Sequence, residues 1–138
     1  MNKADQRGSV TAFVAVIITA IVLVIGLVVD GGALLTTKRR AVNLAEAAAR
    51  AGAQGIDETT IRAGGPVRLD PAAARRRAER YLAEEHVTGR VTATVTGVHV
   101  EITINQPLMF LGIAGLASRT VTGQADARPA RGIQQEGD

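Results

Sequence analysis

From Gly8 to Val29 the chain carries no charged side chain, and Arg7 and Asp30 bracket the gap. Within it, Val10–Val29 is almost wholly aliphatic. At about 1.5 Å per residue a helix over that stretch is about 30 Å long, the thickness of a bilayer's hydrocarbon core. The Val and Ile that fill it are mediocre helix formers in water. Lipid offers the backbone no partner, however, so a lone span satisfies its own amides and carbonyls as a helix. Two other readings compete. A core helix of a soluble protein needs protein on every side, and 138 residues supply little to wrap one. A cleaved secretory signal has its basic start in Lys3 and Arg7. The run exceeds the apolar region of about 7–15 residues that such signals use, and Val29-Asp30-Gly31-Gly32-Ala33 is a poor cleavage site. The sequence therefore predicts a retained membrane anchor with lipid as one partner.

Charge does not orient that anchor. Lys3 and Arg7 precede it and Lys38, Arg39 and Arg40 follow it, a near balance under the positive-inside rule. Net charge is only +3, and one Tyr, two Phe and no Trp leave little for bases to stack on, so nucleic acid is not an expected partner. Asp30, at the end of the span, has two readings. It marks the lipid–water boundary, or it pairs with a cation of a neighbouring subunit at the membrane edge.

Past the span, residues 33–55 are rich in Ala and free of Pro, which predicts that the helix continues out of the membrane. Gly31-Gly32 oppose this and are expected to bend or loosen it at the interface. Ala41, Ala45, Ala49 and Gly52 fall on one stripe at helical spacing. Such small residues let another element approach closely, either a partner's helix or the chain's own sheet. Gly52–Gly55 and Asp57 end the helix.

Residues 58–69 read as a connection with a turn at Gly64-Gly65-Pro66. Asp70-Pro71 then opens a second helix to about His86, with Asp as N-cap and Pro in the first turn. Its apolar stripe is Ala74, Ala78, Tyr81 and Leu82. Its arginines at 75, 76, 77 and 80 stand four residues before or near Glu79 and Glu84, as on a solvated, ion-paired face. The period then drops to two. Val91, Ala93 and Val95 alternate with threonines over 90–96, and Val98, Val100, Ile102 and Ile104 alternate with polar residues over 98–105, a hairpin turning near Gly97. Arg119–Ala127 is a third strand with Val121, Ala125 and Ala127 inward. Residues 107–116 are apolar and too short to span. They read as a flap over the sheet, or as a patch that docks a partner or dips into the membrane interface.

Little here suggests catalysis. Zero Cys and two His predict no metal site and no cofactor. Ser9 and Ser118 have no implied His–Asp pairing, His86 and His99 read as surface residues, and the glycine pairs lack the Gly-Lys-Ser/Thr of a phosphate loop. The expectation is no enzyme.

Arg7-Gly8-Ser9-Val10-Thr11, the span, Val29-Asp30-Gly31-Gly32, Lys38-Arg39-Arg40 and Asn43–Ala53 resemble the N-terminal region of TadE/TadG-like proteins, the pilin-like accessory proteins of the bacterial tight-adherence (Flp pilus) system. The later part is similar too, with two alternating strands, an apolar stretch at Phe110–Gly115 and a closing strand ending Ala125-Asp126-Ala127. The resemblance implies a pilin-like fold and contacts with pilus or secretion-machine subunits as a homo- or hetero-oligomer. It also implies a cytoplasmic amino terminus and an exported remainder at the bacterial surface. It makes Gly8-Ser9 the candidate processing site. Processed pilin-like members carry Glu five residues after that Gly, where this chain has Phe13, so the resemblance fits a short, unprocessed member.

The expected organisation is α+β: a short cytoplasmic N-terminus over 1–9, a transmembrane helix over 10–29, and a helical extension over 30–57. A small α+β domain with a three-stranded antiparallel sheet follows over 58–127, and a disordered tail over 128–138. The candidate contact residues are Ala41, Ala45, Ala49 and Gly52, with Asp30, Gly31 and Gly32 beside the membrane. The function expected is a membrane-anchored assembly protein acting by packing. The alternatives are a single-span accessory or sensor subunit of another membrane complex, or a signal-cleaved secreted domain.

Overall fold

The computed structural model describes residues 3–113 and 115–129. Of the tail expected over 128–138, residues 130–138 lie outside the described residues. The order of elements is α1 (Lys3–Ala53), α2 (Glu58–Arg62), α3 (Pro71–Glu84), β1 (Gly89–Ala93), β2 (Val98–Pro107), α4 (Phe110–Ile113) and β3 (Ser118–Ala127). The strands form one antiparallel sheet in the order β1-β2-β3, so the chain is α+β as expected. It falls into two compact units, Met1–Thr36 with Asn105–Arg119, and Thr37–Ile104 with Thr120–Asp138.

In the second unit the core is built from small residues on helices and branched residues on strands. Ala45, Ala48 and Ala49 of α1 and Ala74, Ala78 and Leu82 of α3 are buried with Val91, Val98, Val100 and Ile102. Ala side chains bring helix and sheet backbones close, and the larger Val and Ile fill the space between. The closest approach is at Gly123 of β3. A Cβ there would strike the backbone of Ala41 and Val42, so no larger residue fits. The β1–β2 register runs from Gly89↔Ile102 to Ala93↔Val98. Val98, Val100 and Ile102 therefore share the buried face, as their period of two predicts.

The local signals explain where elements stop. Asp70 caps α3 by accepting from the Ala72 and Ala73 amides at 2.9 and 3.2 Å, with Pro71 in the first turn. The helix ends at Glu84, two residues earlier than expected. His86 takes a left-handed φ of 55°, and Val87 N–H returns to Leu82 O at 2.9 Å. The strand expected over 90–96 stops at Ala93. The Thr94 hydroxyl accepts from the amides of Thr96 and Gly97 and makes a turn of 94–97. The connection at 58–69 contains a helical turn not expected from the sequence, α2, nucleated by Asp57. Its carboxylate accepts from the Thr59 and Thr60 amides and from the Thr60 hydroxyl at 2.6 Å. That hydroxyl bond is the largest cause holding the Asp57 carboxyl below its usual range.

The expected loosening at Gly31-Gly32 does not occur. α1 is helical throughout Lys3–Ala53, and the Thr36 hydroxyl donates to Gly32 O at 2.9 Å. Two glycines cost helix propensity of about 1 kcal/mol each, which a helix this long with many good formers absorbs.

Candidate functional site

The first unit contains the stretch that most restricts function. Its helical part includes a segment long and apolar enough to cross a membrane, with a mean hydropathy of 3.2, of which 6% is buried. That low burial is unlike a core helix, which its own chain covers. Phe13, Val16 and Val28 are each about two-thirds exposed. Such a surface in water would cost about 25 cal/mol for every Å² of apolar area.

At the end of this segment stands Asp30, 2% exposed. Its Oδ1 accepts from Met109 N–H at 2.9 Å, and its Oδ2 accepts from Phe110 N–H at 3.0 Å and Leu111 N–H at 2.7 Å. One carboxylate thus holds the three amides that open α4, which would otherwise lack partners at a helix start. The Leu111 N–H is the strongest influence. With the Met109 and Phe110 amides it outweighs desolvation and keeps the Asp30 carboxyl below its ordinary 3.8. One turn earlier, Gly26 is buried against Phe110. A Cβ on residue 26 would come within 2.6 Å of the Phe110 Cβ, so glycine is what lets this loop lie on the helix.

The loop closes on itself through backbone. Leu108 N–H donates to Ala117 O, Leu116 N–H to Leu111 O, and Gly115 N–H to Gly112 O, at 3.0 to 3.1 Å. Leu108 is buried, while Met109, Phe110, Ile113 and Leu116 present apolar side chains outward.

The residues singled out from sequence are distributed between the two units. Ala41, Ala45 and Ala49 are fully buried and Gly52 is buried. The chain's own elements occupy this stripe: Gly123 lies against Ala41, and Val98 and Ala74 lie against Gly52. Asp30 is drawn into the Phe110 loop. Gly31 and Gly32 have nothing near the position a Cβ would take. Gly8 and Ser9 fall within α1, whose backbone is helical there. Sequence reasoning missed Gly26 and the amides of 109–111 as partners of the span. The available signal was an uncharged Gly in the span and the apolar loop already set apart.

Other polar pairs are superficial. His99 Nδ1 lies 2.9 Å from Asp126 Oδ1, His86 Nδ1 donates to Glu84 O, and Arg75 pairs with Glu79 at 2.7 Å. The Lys38 ammonium donates to Thr122 O within the second unit. Among the described residues no group of three His, Cys, Asp or Glu could hold a metal ion.

Residues 8–55, about a third of the chain, match the family model for Flp pilus-assembly TadE/G-like proteins, named Tad. The matched stretch contains the apolar segment, Asp30, Gly31-Gly32 and the Ala-rich continuation of α1. No curated protein and no solved structure matches the chain.

Proposed function

We propose that this protein is a membrane-anchored, pilin-like accessory or assembly component of a Flp-type pilus or tight-adherence secretion system. It works by holding and packing subunits rather than by turning over a substrate. The observation that carries the reading is the coincidence, within residues 8–55, of the TadE/G-like match and an exposed helix of membrane-spanning length. The span of 10–29 fixes the chain in lipid with its amino terminus in the cytoplasm, uncut at Gly8-Ser9. The remainder, about 30–127, stands on the far side as a small α+β domain. The Ala41–Gly52 stripe binds α1 to its own sheet, so it positions the domain, and pilus or secretion-machine subunits are met by the surface left outside that stripe.

The test is a topology and terminus measurement on the full chain. Sequencing of the mature amino terminus from isolated membranes returns Met1 or Asn2. A start at Ser9 replaces the unprocessed member with a processed one, and a start near Gly31 replaces the anchor with a secreted domain. A reporter fused after Asp138 is active on the far side of the membrane. Activity in the cytoplasm alone overturns the export. Photocrosslinkers at the exposed Asn43 and Arg76 capture pilus or secretion-machine subunits. Capture of none of them overturns the assembly role.

A further inference from the structure

The loop of residues 109–116 is an appendage of the span, and its exposed side chains have no charged neighbour in sequence from Pro107 to Ser118. Three observations bear on what covers it. Asp30 seizes the amides of Met109, Phe110 and Leu111, and Phe110 packs on Gly26. Gly26 lies four residues inside the apolar segment, about 6 Å along the helix axis from Asp30. Any bilayer that receives Val10–Val29 up to its end therefore receives Phe110 at the same depth. Second, Met109 is 76% exposed, Ile113 88% and Leu116 48%. That is a cluster of large aliphatic side chains continuous with the bare surface of the helix. Third, six amides of the loop already meet the condition that lipid imposes on irregular backbone. The amides of Leu108, Met109, Phe110, Leu111, Gly115 and Leu116 all have acceptors inside the chain. The charge that serves three of them is itself enclosed, so it need not face hydrocarbon.

From this we infer that residues 109–113 with 115–116 are a second membrane contact, a short wedge that lies in the headgroup–acyl boundary beside the span. The occupant of this apolar patch is lipid. The loop is too short to cross, and a depth of about 5–10 Å is what interfacial elements reach. With two points of contact, the span and the wedge, the helix is fixed in rotation about its own axis as well as in depth. A bare single span leaves that rotation free. The inference rests on the membrane-anchor reading above, and its test separates the two.

The chain has no Trp, so a single introduced Trp is a clean probe. Three full-length variants, Ile113→Trp, Val22→Trp and Val95→Trp, are reconstituted in phosphatidylcholine vesicles. Some vesicles carry lipids brominated high on the acyl chain and others lipids brominated near its end. Trp at 113 is expected to show blue-shifted emission, strong loss of emission with the high bromines, little loss with the deep ones, and poor access to aqueous iodide. Trp at 22 loses emission to deep bromines, and Trp at 95 responds to iodide alone. Iodide quenching at 113 with bromine quenching intact at 22 overturns the wedge and leaves the anchor standing. Protection at 113 from both quenchers means that protein covers the loop, a second copy or another subunit, and also overturns it. Failure of bromine quenching at 22 removes the anchor itself and the wedge with it.

Discussion

One helix has two kinds of surroundings. Between Val10 and Val29 α1 carries large branched side chains and almost all of them are bare. Between Ala41 and Gly52 it carries small ones, and one face is sealed. A helix that faces water would show the reverse, with polar residues where it is bare and large apolar residues where it is covered. The inversion teaches that side-chain size follows the neighbour. Where no part of the chain covers the helix, the side chains are large and apolar. Where the neighbour is a sheet drawn to within a Cβ of the helix backbone, as at Gly123, only Ala and Gly fit. The same helix carries a bare apolar stretch and forms the floor of a protein core.

The sharpest way to break this contrast uses one residue type in both places. Ile102 is fully buried in the second unit and Ile21 is 53% exposed on the bare stretch. Ile102→Ala is expected to cost about 2–5 kcal/mol of domain stability through lost burial and the cavity left behind. Ile21→Ala leaves that stability unchanged. Denaturant unfolding of the detergent-solubilised full chain reads both, and equal shifts would show that the two regions share one core. Next is the charge penalty. Val22→Arg raises the cost of membrane insertion by about 2.5–3.5 kcal/mol. The fraction resisting alkaline carbonate extraction drops accordingly, whereas Asn43→Arg on the exposed side of the Ala-rich half does not change it. A smaller effect comes from overfilling. Ala45→Leu forces a larger side chain against the sheet and costs about 1–3 kcal/mol. Asn43→Leu, two residues earlier on an exposed face, stays within about 0.5 kcal/mol in the same unfolding measurement.

The parts of this architecture that were legible in the sequence are those written in local chemistry. An uncharged apolar run, Asp70-Pro71 at a helix start and a switch to period two at Val91 each state their structure within a few residues, and the long apolar helix, α3 and the hairpin follow. Their ends were less legible. Thr94 belongs to a strand by its alternation, but its hydroxyl serves the turn, and His86 leaves the helix by adopting a left-handed backbone. Gly31-Gly32 mislead because propensity is a weak prior beside a long run of good formers on one side and an apolar span on the other. The Ala41–Gly52 stripe announces close packing without naming the partner, since a helix or a sheet requires the same small residues. Asp30 was visible as a residue in an odd place, and neither reading of it included a loop some eighty residues ahead. Nothing in the neighbourhood of Asp30 encodes Met109, Phe110 and Leu111, because backbone amides are the same at every position.

That contact gives the smallest effect, and it is confined to the unit that carries the bare half of the helix. Asp30→Asn keeps the size of the side chain and removes its charge. It exchanges an acceptor oxygen for an amide nitrogen that has nothing to donate to among three N–H groups. Amide exchange at Met109, Phe110 and Leu111, measured as protection relative to the intrinsic rate, is expected to accelerate. The amides of Val91 and Val100 in the hairpin keep theirs. Acid should mimic the substitution, with a definite sign. The folded carboxyl titrates below 3.8, its ordinary value, so its contribution is complete above 3.8. It is lost as the pH falls through the depressed folded value. Protection at 109–111 is therefore flat from neutral pH down to mildly acidic pH and collapses only in strong acid, while Asp30→Asn shows reduced protection at every pH. A collapse already near neutrality would mean that a group other than Asp30 holds the loop, and the covered end of the bare helix would need a different explanation.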